Sequence, residues 1–168
     1  MPKIIENLPQ RLLKEARRQI HEAGYGAMTI RSVAQKCGVG VGTVYNYYRS
    51  KEEMVASFLL EDWKQCVDSI ATCAENTDNI ESVLQAIYRN LVDFAGRHMS
   101  IFGDHSAALS FSGSHGAYHN LLRSQLAAPL RKFCRDDFVA EFVAEAMLTW
   151  TMAGKSFEEL NGVLKALF

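Results

Sequence analysis

No CxxC pair occurs among the four cysteines, Cys37, Cys66, Cys73 and Cys134, so the spacing of a zinc ribbon or a thioredoxin-type site is absent. Cys66 and Cys73 would share one helix, roughly 10 Å apart along its axis, beyond the roughly 7 Å Cα limit for a disulfide. The four residues fit small buried apolar side chains, with a redox-sensing thiol as the alternative. No segment approaches the roughly 18 uninterrupted apolar residues of a membrane span. The opening MPKIIENLPQ has no apolar run after a basic start, and a cytoplasmic protein without membrane contact is expected. GxSxG, HExxH and the phosphate-binding loop are all missing, so neither an enzyme nor a cofactor or resident metal is expected. There is no sustained two-residue alternation of a strand, no internal repeat and no low-complexity tract.

What is present is a chain of 168 residues, 48% hydrophobic and 22% charged, enough for one generous domain or a small domain attached to a larger one. The net charge of −1 hides an asymmetry: residues 1–51 carry nine Lys/Arg against three Asp/Glu, and the remainder nine against sixteen. A basic head on an acidic body suits a head that meets a polyanion; a solvated basic face is the plainer alternative.

Nearly every segment reads as helix, an all-α chain. Leu8, Leu12, Leu13, Ala16, Ile20 and Ala23 recur at helical spacing and stop at Gly24. Thr29 is placed to cap a short second helix ending at Gly38, and a third runs from about Gly40 to Tyr48. Ser50 with Glu53 forms a capping box for a fourth helix, and Asp78 with Glu81 a second box for a fifth. Between Met99 and Tyr118 the pattern weakens to a short helix flanked by Gly/Ser loops. Helices resume at about 117–134, 137–153 and 156–167. In the second of these, Phe138, Val139, Phe142, Val143, Ala146, Met147 and Trp150 repeat at 3.5-residue spacing. Leu160 and Leu164 add apolar surface beyond it. This surface suits either a monomer core or a subunit interface.

Three glycines in five residues, Gly38, Gly40 and Gly42, interrupt the second and third helices, although Gly costs about 1 kcal/mol relative to Ala inside a helix. Two short helices joined by a tight glycine turn near basic residues make a helix-turn-helix, with the second helix entering a DNA major groove. Gly38 supplies the turn, and Gly40 and Gly42 let backbone N–H groups approach phosphates or bases. Thr43, Asn46 and Tyr47 form a hydrogen-bonding row, while Val39, Val44 and Tyr48 suit the core. Arg49 and Lys51 follow as phosphate contacts.

The stretch GYGAMTIRSVAQKCGVGVGTVYNYYRSKEEMV, Gly24 to Val55, resembles the N-terminal DNA-binding domain of the tetracycline-repressor (TetR) family, over about residues 8–58. Tyr48 stands where the family commonly has Phe, and the chain after the head is short for the family. The resemblance implies a three-helix DNA-binding head at 1–50 and a helical effector-binding and dimerisation domain at 51–168. It also implies a homodimer that represses transcription from a palindromic DNA operator and is released by a small-molecule effector. By position, Thr29 would cap the second helix near phosphate, Val41, Gly42, Thr43, Asn46 and Tyr47 would face the groove, and Tyr45 and Lys51 would bind the backbone, with Arg31 a further DNA-binding candidate. Phe138, Phe142, Ala146, Trp150, Leu160 and Leu164 are the dimer-interface candidates.

For the effector pocket the candidates are Trp63, Cys66, Tyr88, Phe94, His98, Phe102, Phe111, Tyr118 and Met147, each of which also suits ordinary core. His105, His115 and His119 share one irregular region with Asp104, but their spacing matches no metal site. The competing functions are a helical protein-interaction module with a degenerate head, and a redox- or metal-sensing variant of the repressor.

Overall fold

The computed structural model describes residues 7–105, 107–108 and 115–168; Phe111 and the side chain of His115 lie outside them. Among the described residues there are helices and no strand: α1 Leu8–Ala23, α2 Ile30–Cys37, α3 Val41–Tyr45, α4 Lys51–Glu75, α5 Ile80–Phe102, α6 His115–Leu130, α7 Asp137–Met152 and α8 Phe157–Leu164, with a 3-10 turn at Lys165–Leu167. No described helix is long and apolar enough to cross a membrane.

The helices begin where side chains satisfy their first N–H groups. Thr29 Oγ1 accepts from the Ser32 N–H at 3.0 Å and Ser32 Oγ accepts from the Thr29 N–H at 3.1 Å, a reciprocal box that opens α2. At α4, Ser50 Oγ accepts from the Glu53 N–H at 3.1 Å. The Glu53 carboxylate accepts from the Arg49 backbone N–H rather than that of Ser50, at 2.7 Å. The expected Asp78–Glu81 box does not open α5. Asn79 Oδ1 accepts the Glu81 N–H at 2.9 Å, while Asp78 pairs with Lys132 at 3.3 Å. Asp136 caps α7, and Ser156 with Glu159 forms a full box on α8.

Two other boundaries differ from the sequence pattern. The third helix ends at Tyr45, not Tyr48, and α6 ends at Leu130, not residue 134. Pro129 stands in the last turn of α6 and has no N–H to extend the ladder.

The chain forms two compact units, one of residues 7–61 with 98–108 and the other of 62–97 with 115–168. In the first, α1 turns Leu12, Ala16 and Ile20 inward against Val33 and Ala34 of α2, Val44 of α3, and Met54, Val55 and Phe58 of α4. Each fully buried side chain of the size of Leu or Phe contributes about 1.5–3 kcal/mol relative to exposure. Ile101 and Ala107 belong to the same core, so the head is completed by a segment some forty residues past residue 61. In the second unit, α6 and α7 pack along each other, burying Leu126 and Leu130 of α6 and Val143 and Met147 of α7, with Leu160 and Leu164 of α8 also buried.

Candidate nucleic-acid interface

The turn between α2 and α3 is fixed by Gly38, whose φ of 70° and ψ of 32° lie in the left-handed region. The Val39 N–H donates to the Ala34 carbonyl at 3.0 Å and the Gly38 N–H to that of Gln35 at 3.2 Å. This is a Schellman closure, and Val39 packs on the head core just beyond it. Gly40 then caps α3 in an extended conformation, its carbonyl accepting from the Thr43 and Val44 N–H groups at 3.0 and 3.4 Å.

This short helix has two faces. Val44 and Tyr48 are buried, and burial pushes the Tyr48 phenol above its ordinary pKa. Gly42, Asn46 and Arg49 are exposed and Thr43 is half-buried. Tyr45 and Tyr47 are 51% and 46% exposed, large rings for a free surface. Val41 is half-buried and packs partly on the head core. Thr29 and Arg31, at the start of α2, are exposed.

The charges around this face differ in how free they are. Arg31, Lys36 and Arg49 are exposed and make no ion pair among the described residues. Arg18 on α1, by contrast, is held by Glu15 and Glu22. Lys51 is drawn inward: its ammonium donates to the Tyr25 carbonyl and lies 3.9 Å from the centre of the Tyr25 ring. Burial lowers its pKa. Lys36 in the last turn of α2 did not stand out in the sequence, because one lysine carries no spacing signal.

Residues 12–58, the stretch that builds this face, match the family model described as bacterial regulatory proteins, tetR family. Over these residues the chain is similar to that family. It is 21% identical over 151 residues to the HTH-type transcriptional regulator UidR of Escherichia coli strain K12, across 90% of this chain and 70% of that protein. GusR of Salmonella enterica has the same fold, with a TM-score of 0.73 at 16% identity over 97% of this chain and 99% of that one. So does the TetR family repressor AlkX from Dietzia sp. strain DQ12-45-1b, with a TM-score of 0.67 at 13% identity over 93% of each chain.

The residues named as effector-pocket candidates divide between the two compact units. His98 and Phe102 fall with the head, where His98 is buried with its ring 6.0 Å from that of Phe58 and 6.2 Å from that of Phe102. Trp63, Cys66, Tyr88, Phe94, Tyr118 and Met147 fall in the second unit. There the Trp63 ring meets Phe94 edge-on at 5.4 Å, and its Nε1 donates to Gln125 at 2.6 Å. Cys66 and Met147 are buried; Tyr88 is half-buried against Phe157; Phe102 and Tyr118 are exposed.

The interface candidates also divide. Phe138, Phe142 and Trp150 are exposed and Ala146 half-buried, whereas Leu160 and Leu164 are core within the chain. Among the described residues no group of three or more His, Cys, Asp or Glu is placed to hold a metal ion, and His119 is engaged by Glu145 of α7.

Proposed function

We propose that the protein is an effector-responsive repressor that binds a palindromic operator as a homodimer, with residues 1–50 reading DNA and residues 51–168 holding the effector and the partner subunit. The observation that carries this reading is Gly42. It is exposed in α3, has no positive φ, and a Cβ added there would meet nothing within 4 Å. A glycine that the free fold does not need lowers helix stability by about 1 kcal/mol, and close approach of a partner gives it a use. Around it stand Thr43, Tyr45, Asn46 and Tyr47 and the unpaired charges of Arg31 and Arg49, the mixture that contacts phosphates and base edges.

Two such helices in a dimer would reach half-sites one helical turn apart, roughly 34–36 Å. An effector that binds better at another head spacing would shift the population off DNA, and DNA would weaken effector binding by the same factor. The lever is α4, which runs unbroken from Lys51 in the head to Trp63 and Cys66.

The test is selection of genomic fragments with purified protein, then footprinting at two salt concentrations. A palindrome whose affinity falls steeply with salt is the expected result. Weak binding without sequence preference, persisting in protein refolded free of ligand, would instead leave an interaction module with a degenerate head.

A further inference from the structure

One amide on α1 reaches across to the first turn of α2. Gln19 stands half-buried on α1, one turn after Glu15. Its Nε2 donates to Glu15 Oε1 at 2.8 Å, and its Oε1 accepts from Ser32 Oγ at 2.5 Å. The neighbours dictate how the amide is turned: a carboxylate can only accept, so the NH2 group faces Glu15 and the oxygen is left for the serine hydroxyl. Glu15 is itself fixed, because Arg18 donates to both of its oxygens, Nε to Oε2 at 2.9 Å and Nη2 to Oε1 at 2.7 Å. The Arg18 hydrogen bond, with the smaller pulls of Gln19 and of the Lys36 charge on α2, holds this carboxyl below its ordinary pKa against the cost of burial.

The far end of this chain of bonds is the cap of α2. The Ser32 hydroxyl has one hydrogen to give. It lies 2.5 Å from the Gln19 oxygen and 2.8 Å from the Thr29 carbonyl, while the same Oγ accepts the Thr29 N–H at 3.1 Å. Thr29 Oγ1 in turn accepts the Ser32 N–H at 3.0 Å, which leaves the Thr29 O–H free to donate outward. Thr29 is exposed, and the N–H groups of Ile30 and Arg31 precede that of Val33, the first to bond back along α2. Ile30, Val33 and Ala34 seat α2 on the head core, but apolar contact is non-directional and tolerates a small rotation of the helix. The Gln19 bond is directional and does not.

We propose that Gln19 is a positioning residue for operator binding: braced by Glu15 and Arg18, it fixes the first turn of α2 against α1 and so aims the Thr29 hydroxyl at a DNA phosphate. Gln19 itself touches no DNA in this arrangement. The proposal rests on the operator reading above, with Thr29 as a phosphate contact. Such contacts fix the register and orientation of a protein on the duplex, so the residue that aims one also governs how α3 enters the groove.

The experiment uses the palindromic duplex enriched by the fragment selection and measures its affinity, together with stability in urea, for the full-length protein and four variants. These are Gln19→Met, Thr29→Val, the two combined, and the exchange Glu15→Gln with Gln19→Glu. In a head that stays folded at the assay temperature, loss of stability alone leaves affinity unchanged, so affinity reads position. Gln19→Met, close in length but without the hydrogen bonds, should bind roughly three- to tenfold more weakly. In the Thr29→Val background the same change should cost less than about twofold, because the hydroxyl it aims is gone. The exchange keeps the net charge and still sets an amide to donate to a carboxylate that accepts from Ser32; it should bind within about twofold of wild type. Wild-type affinity in Gln19→Met or in Thr29→Val, equal losses in both backgrounds, or an exchange variant no better than Gln19→Met would each overturn the proposal. A wild-type protein that enriches no palindrome would reject the operator reading instead.

Discussion

The ammonium of Lys51 sits on Tyr25, donating to its carbonyl and lying over its ring, while the Tyr25 hydroxyl donates to Glu52 at 3.3 Å. The two contacts tie the turn after α1 to the first turn of α4. A DNA-backbone role was implied for Lys51 by position, yet its charge is already used inside the head.

Lys51→Met should therefore act first on stability. Loss of a partly desolvated cation–π contact and one charged hydrogen bond costs on the order of 1–3 kcal/mol, several degrees in Tm. The log–log salt slope of operator binding should change by less than the roughly 0.9 that one phosphate contact contributes. An unchanged Tm with a full unit lost from the slope would return Lys51 to the DNA.

Gly42→Ala should separate folding from reading. The free head has room for the methyl group, so chemical denaturation should show unchanged or increased stability, by up to about 1 kcal/mol. Operator affinity should fall, because the methyl group occupies the space through which DNA approaches. An alanine variant that binds DNA as well as the wild type would remove the close-approach argument.

Local features were the legible ones. The Thr29 cap and the Gly38 turn are each built from residues within five positions of one another, so spacing alone indicates them. The end of α3 was less visible because Val44 and Tyr48 keep helical spacing across a turn that is no longer α-helix; the Tyr48 N–H still reaches the Val44 carbonyl at 3.0 Å. Asp78 and Asn79 are both good caps, and the choice between them involves Lys132, more than fifty residues away. In α7 the apolar pattern merged two faces, since Val139 and Val143 point inward and Phe138 and Phe142 outward. The pairing of His119 with Glu145 joins residues on two helices, and no sequence period marks it.

Ile101 tests the composition of the head. It is buried in the core built by α1, α2 and α4, beside Ala107, whose N–H donates to Asp104 at 3.1 Å. Ile101→Ala should cost about 2–5 kcal/mol. Hydrogen exchange should register the loss in the amides of α1 and α2, with operator affinity falling as the folded head is depleted. Exchange that speeds up only in α5 would show that the segment merely rests on the head.

Cys66 tests the redox-sensing alternative. It is buried on α4, and burial pushes its thiol up to about 11, leaving roughly one thiolate in a thousand at pH 8 by the ordinary titration relation. Because the thiolate is the reactive form, a disulfide reagent at pH 8 should label the half-buried Cys73 and Cys134 first. Cys66 should react at a rate set by unfolding, as read by mass mapping of the labelled peptides with and without denaturant. Cys37, also buried and shifted upward by burial, should behave like Cys66. If Cys66 were instead labelled first in the native protein, its thiolate would have to be formed and reached without unfolding. The reading of Cys66 as inert core would then give way to that of a redox sensor on α4.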